Sequence, residues 1–248
     1  MREMSAKIII FVGQNFIIMR KILLIISLVA LVSLNANAQT KDVRIGIKTG
    51  PTLDWVSSGS TAVKNEGVRL GLNVGLVYDH YITSHVAISS GANFNLLRMK
   101  YTFTDHRYVD DFLEKTNVAV ERRLKANNIE IPLKAKFDVD VTNSLKAYVE
   151  AGGGLSFNIS DLAKDSYDFY WVSSKGENYI DCTNQYRMTQ VSMIFGLGAE
   201  YEINRVFSLF AQLTFDHAFT NAFIRSMEKQ TGSMILNNYF GVEFGILY

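Results

Sequence analysis

Charged residues recur on alternate positions in several stretches: Lys134, Lys136 and Asp138 in one, Lys146, Tyr148 and Glu150 in another, Glu200 and Glu202 in a third. Residues two apart share a face when the backbone is extended, so Glu200 and Glu202 are candidates for general acid and base work. They flank the short segment INRV, however, away from the long polar segments where a substrate would be met. Of the four histidines, His80, His85, His106 and His217, only His217 ends an alternating run beside a long polar segment. A serine two residues further would give a His-x-Ser pair, the pattern of lipid A deacylases, but Phe219 stands there. The run AGGGLS, with Gly152, Gly153 and Gly154, has no following lysine to make a phosphate loop, and no HExxH motif occurs. The single cysteine, Cys182, rules out an internal disulfide and a cysteine-rich metal site. A net charge of +1 without a basic stretch argues against nucleic acid. Catalytic residues, metals and cofactors are therefore not expected, and the chain reads as a non-enzyme.

The elements that carry these charges are strands. Phe240, Val242, Phe244, Ile246 and Tyr248 alternate with Tyr239, Gly241, Glu243 and Gly245, one greasy face against one small or polar face. The same alternation starts at Val43, Val68, Val86, Ile129, Leu145, Val191 and Phe207, which makes eight runs of about ten or more residues, the length a tilted strand needs to cross hydrocarbon. In the third run the apolar set changes phase, from Ile88, Phe94 and Leu96 to Leu97, Met99, Tyr101 and Phe103. That change predicts either a bulge or a strand leaving the membrane. Two prolines in the whole chain suit a hydrogen-bonded ladder.

Short connections (HYITSH, VTNS, INRV) alternate with long polar ones: 57–66, 104–128, 160–188 and 220–233. A soluble sandwich would also alternate, but its second face would be merely solvated. Here that face is rich in glycine and carries charges of both signs, which suits a crowded lumen, while bare aliphatic and aromatic residues suit lipid. The expected fold is all-β: an eight-stranded antiparallel up-and-down transmembrane β-barrel with short periplasmic turns and long extracellular loops. Its lumen would hold Arg44, Lys48, Arg69, Lys134, Lys136 and Lys146 beside Glu130, Asp138, Glu150, Glu200, Glu202, Asp216 and Glu243. Arg69, Glu130, Lys134, Lys136, Glu150, Glu200 and Glu243 are the expected charge network, paired to offset desolvation. Residues 1–38 read as a leader: Arg20 and Lys21, the apolar stretch Ile22 to Leu34, and Ala36-Asn37-Ala38 as a cleavage site. Residues 1–18 read as an over-extension before Met19, with a long uncleaved membrane anchor as the alternative, and 39–248 as the barrel domain. No cysteine follows the apolar stretch to take a lipid.

The segments NNIEIPLKAKF at 127–137, AYVEAGGGLSFNI at 147–159, FGVEFGILY at the end and NANAQ at 35–39 resemble the small outer-membrane β-barrel family of Bacteroidetes bacteria, the PorT-like proteins. The resemblance covers residues 39–248 and implies outer-membrane localisation. It also implies that Phe240, Phe244 and Tyr248 form an assembly signal for the barrel-insertion machinery. One branch of that family is tied to type IX secretion. The expected partners are outer-membrane lipid, the insertion machinery and a protein or small-molecule ligand at the long loops, with the barrel itself a monomer. Tyr167, Phe169, Tyr170, Trp171 and Tyr179 form the candidate recognition loop, because aromatics on exposed loops favour recognition; Tyr and Trp equally suit an interfacial girdle. The stretch 104–128 is expected to be a solvated, partly helical flap. The expected role is binding or scaffolding in the envelope, with a narrow channel and a lipid-modifying enzyme as alternatives.

Overall fold

The computed structural model describes residues 43–59, 62–107, 116–169, 172–175, 178–204, 206–231 and 233–248. The expected leader lies outside these residues. Alternation of side chains along the chain produces strands: β1 (Val43–Ser58), β2 (Val63–Asn65), β3 (Arg69–Thr83), β4 (Val86–Arg107), β5 (Thr116–Asp140), β6 (Leu145–Phe169), β7 (Val172–Lys175), β8 (Ile180–Asp181), β9 (Thr189–Glu202), β10 (Ser208–Ala218) and β11 (Ile235–Leu247). A short helix, α1 (Arg225–Thr231), precedes the last strand. Eight of these strands pair antiparallel in the order β1-β3-β4-β5-β6-β9-β10-β11. The ring closes where β11 meets β1, from Gly46 opposite Leu247 to Ser58 opposite Ile235. Ile45 and Tyr248 each donate an amide to the other's carbonyl, at 2.9 and 2.7 Å, and so complete that seam.

Strands β5 and β6 each run for 25 residues, whereas about 9–11 tilted residues cross the hydrocarbon. The surplus projects beyond one end of the ring, with β2 paired to β4 and with β7 and β8 paired to β6. Among the described residues the opposite end has tight turns at 84–85 and 141–144, and five residues separate β9 from β10 there.

The phase change in β4 is the projection beginning, not a bulge. The β4–β5 register runs unbroken from Val86 opposite Phe137 to Arg107 opposite Thr116, so the odd residues from Ala87 to Phe103 keep pointing inward. Ser89, Asn93 and Asn95 are buried below, and Leu97, Met99, Tyr101 and Phe103 are buried above. The environment inverts around a straight strand. Below Leu96 the outside is apolar, with Leu133 and Val139 each about two-thirds exposed, the surface a bilayer would cover. Above it the outward residues are Arg98, Lys100 and Thr102. The expectation of a helical flap within 104–128 is corrected by the same ladder: from Thr116 onward this stretch is strand, because Val120, Leu124 and Ala126 alternate and bury inward.

Candidate functional site

Alternation aims the small and charged face of each strand at the barrel axis, and the ladder registers decide which charges meet. Lys48 of β1 donates to Glu243 of β11 at 2.9 Å. Glu243 also accepts from Gln212 at 2.6 Å and Thr214 at 3.0 Å. Lys134 pairs with Glu150 across the β5–β6 ladder. Lys136 reaches Asp79 at 2.6 Å and Glu200 at 3.6 Å. Arg44 contacts Glu200 and, at 3.4 Å, Glu202, which also holds Lys146 at 3.2 Å. Glu130 accepts from Asn93 at 2.8 Å and Asn95 at 3.3 Å, and Asp216 accepts from Ser192 at 2.7 Å. Burying single charges would be costly, and mutual pairing with neutral donors offsets that cost. Glycines make the packing fit: a Cβ on Gly198 would collide with the Tyr148 ring.

Apolar side chains close this polar layer at the projecting end and interrupt it near the short turns. At the short-turn end Tyr148, Phe210 and Leu247 pack together. At the projecting end Leu97, Met99, Tyr101, Phe103, Val120 and Leu124 form a core that Cys182, Tyr186, Phe223 and Met227 cover from the third and fourth long connections. Arg122 pins the third connection to this core. Its Nε and Nη2 donate to the two oxygens of Asp165, both at 2.7 Å, and its Nη1 donates to Gln185 at 2.7 Å. Although burial works against its charge, the Asp165 hydrogen bonds raise the Arg122 pKa above its ordinary value. Tyr101 and Tyr186 share a hydroxyl hydrogen bond, and burial pushes the Tyr101 hydroxyl up to about 12. Burial likewise pushes the Cys182 thiol up to about 12, and Asp161 up to about 6 against the hydrogen bond from Asn158. The two small cavities in the lumen, one around Lys134 and Tyr148 and one around Glu130 and Asp216, each have room for about one water molecule.

Of the residues singled out from sequence as a charge network, Glu130, Lys134, Lys136, Glu150, Glu200 and Glu243 are all buried in the lumen. Arg69 is a correction: it begins β3 at the projecting end, opposite Asp54, and is exposed. Glu200 and Glu202, the candidate acid–base pair, are each engaged by cations. His217 faces outward in a row of rings, stacked on Phe215 at 6.4 Å and edge-on to Phe219 at 5.9 Å.

The candidate recognition loop is divided. Tyr167 lies on β6 opposite Val120 and packs against the buried core, because the strand continues through it. Tyr179 is exposed with the Lys125 ammonium 3.9 Å above its ring. Tyr170, Trp171 and the side chain of Phe169 lie outside the described residues. Phe240 and Phe244 face outward on β11 beside the closing seam, and the exposed Tyr248 follows directly after it.

Sequence reasoning did not assign the neutral residues of the polar face, Asn73, Asn93, Asn95 and Gln212, to the charge network, and it did not foresee that the Leu97 to Phe103 set would form an upper core. The signal for that core was present in β5, where buried positions switch from Val120, Leu124 and Ala126 to Asn128 and Glu130.

The family described as "Outer membrane protein beta-barrel domain" matches residues 37–224. Comparison with curated proteins finds no match. Solved structures similar to this chain include Neisserial surface protein A, at 12% identity and a TM-score of 0.42, covering 83% of this chain and 95% of that one. The N-terminal β-barrel domain of Pseudomonas aeruginosa OprF has 11% identity and a TM-score of 0.37, covering 85% and 100%. The outer membrane protein OprG from Pseudomonas aeruginosa has 11% identity and a TM-score of 0.39, covering 84% and 97%.

Proposed function

The chain belongs to the outer membrane protein beta-barrel domain family, and from that premise we propose that it is a closed, non-enzymatic barrel that binds or scaffolds a partner through the projecting sheet. The observation that carries this reading is the filled lumen. Ion pairs such as Lys48–Glu243 and Lys136–Asp79 occupy the axis beneath the upper apolar core and around the Tyr148, Phe210 and Leu247 cluster. A conducting pore needs a water-filled path, and a hydrolytic site needs a nucleophile or base open to substrate. The outward, ring-flanked position of His217 supports an interfacial role over a catalytic one. The ordered mass outside the bilayer is instead spent on a sheet with its own core, a rigid support of the kind that recognition surfaces use.

The resemblance to PorT-like proteins supports a finer version of this role, in which the partner belongs to a protein-secretion assembly. Reconstitution of the purified protein into a planar bilayer tests the closed-lumen reading. A silent bilayer is expected, and stable unitary conductance would overturn the reading in favour of a channel. Deletion of the gene in its native host separates the finer version: trapped type IX cargo supports it, and intact secretion removes it.

A further inference from the structure

The outer face of the projection carries a row arrangement that a free sheet does not favour. Lys100 of β4 lies directly opposite Arg123 of β5, which lies directly opposite Lys164 of β6. One row closer to the apolar belt, Arg98 lies opposite Lys125. Like charges directly across a ladder repel. For Arg98, Lys100, Arg123 and Lys125, the carboxylates among the described residues offset this only in part. Glu121 serves two cations at once, Lys100 at 2.7 Å and Arg123 at 3.5 Å. Glu66 lies 3.9 Å from Lys64 on the adjoining β2, and Asp181, opposite Leu162, is tied to Thr183. Lys125 rests on the Tyr179 ring rather than on an acid.

The height of this patch is as informative as its charge. Leu96 on β4 and Ile129 on β5 are the last outward apolar residues. Arg98 and Lys125 follow within a few residues, and Lys100 and Arg123 come one outward position later. On the flanking strands the exposed Leu70 of β3, two residues beyond the Leu72–Leu96 pair, and Leu162 of β6, opposite Lys125, carry the apolar belt up to the lower cation row. Lys100 and Arg123 lie two residues beyond that row, roughly 5 Å higher along tilted strands, within the headgroup layer that adds roughly 5–7 Å beyond each face of the hydrocarbon. Tyr179 and the exposed Ile180 flank the patch, as amphipathic residues do at a lipid interface.

We propose that Arg98, Lys100, Arg123 and Lys125 form a binding surface for the phosphate groups of an outer-leaflet glycolipid. The site rests on the membrane placement of the barrel and is independent of the partner-binding role. Phosphate oxygens bridge the opposed cations, which relieves the cross-strand repulsion, and the acyl chains lie down the apolar belt below Leu96. The arrangement commits to a lipid because the cations sit at the edge of that belt instead of at the tip of the projection.

The test is binding of diphosphoryl lipid A to the folded, detergent-solubilised full-length protein, measured by native mass spectrometry. Phosphate-free lipid A is the comparison glycolipid, and inositol hexaphosphate is the soluble polyanion. Retention of diphosphoryl lipid A over the phosphate-free form is expected, together with a loss of about tenfold or more in the variant K100Q/R123Q/K125Q. The single variant Arg123→Gln, at a largely exposed side chain, guards against misfolding and is expected to show a smaller loss in the same direction. Equal binding of the two glycolipids, or undiminished binding by both variants, would overturn the site. Inositol hexaphosphate binding as tightly as diphosphoryl lipid A would overturn the lipid assignment.

Discussion

Lys134 and Leu124 lie on the same strand, and both point toward the axis, yet one is held by a carboxylate and the other by Met, Tyr and Phe side chains. The lower zone of the barrel is polar inside and apolar outside; the projection is apolar inside and polar outside. Along β4 and β5 the ladder does not change between them, since the two strands stay in register throughout; the β5–β6 ladder shifts by one residue at Asn127/Asn128. What changes is the solvent around the sheet. Within the bilayer the exterior gains nothing from polar groups, and the charges that specify the interior must satisfy one another. In water the ordinary hydrophobic rule returns, and two long connections fold over the open end to complete a core.

The comparison can be broken most forcefully from inside the lower zone. Glu243→Leu strands the Lys48 ammonium and two neutral donors in the lumen, and is expected to cost about 3–5 kcal/mol. Adding Lys48→Met to it should recover most of that loss. Urea unfolding followed by heat-modifiable electrophoretic mobility checks both, and equal destabilisation by the single and double variants would contradict a lumen stabilised by pairing.

In the projection the same kind of cut should act through packing instead. Phe103→Ala empties part of the upper core and removes the ring beneath the Arg122 guanidinium, 4.9 Å away, at a cost of about 3 kcal/mol. The expected result is proteolysis of the projection with the membrane-embedded strands still protected. Simultaneous loss of both zones would show that they do not melt separately.

The smallest effect sharpens the boundary between them. Asp161 is buried at the base of the projection, near Asp181, and its carboxyl is pushed up to about 6, while in an unfolded chain it titrates near ~3.9. The folded state therefore holds the proton more tightly, so this region is most stable below pH ~4 and weakens as pH rises to 6. Asp161→Asn should flatten that dependence, as read from pH-dependent amide exchange of β6.

How much of this was legible follows from the physics of each zone. Period-two alternation is a local property, so the eight strands, the ring and the inward charges could be read directly from runs such as Ile129 to Val139. Which charges pair could not, because Lys48 meets Glu243 only through ring closure. The phase change at Leu97 was visible, and its two explanations were indistinguishable until the unbroken β4–β5 register removed the bulge. The aromatic segment misled because a strand that continues past the membrane splits its rings between two faces, and Tyr167 is spent on packing. Arg69 misled because alternation alone does not say where a strand begins to be enclosed.

The inversion itself is tested most directly by spin labels placed one at a time at outward positions Leu133, Ile129, Lys125 and Arg123 of β5, in a Cys182→Ser background and a lipid bilayer. Accessibility to oxygen should dominate at Leu133 and Ile129 and give way to a water-soluble nickel reagent at Lys125 and Arg123. Oxygen-dominated labels at Lys125 and Arg123 would place the projection within the hydrocarbon and contradict the division of the barrel at Leu96.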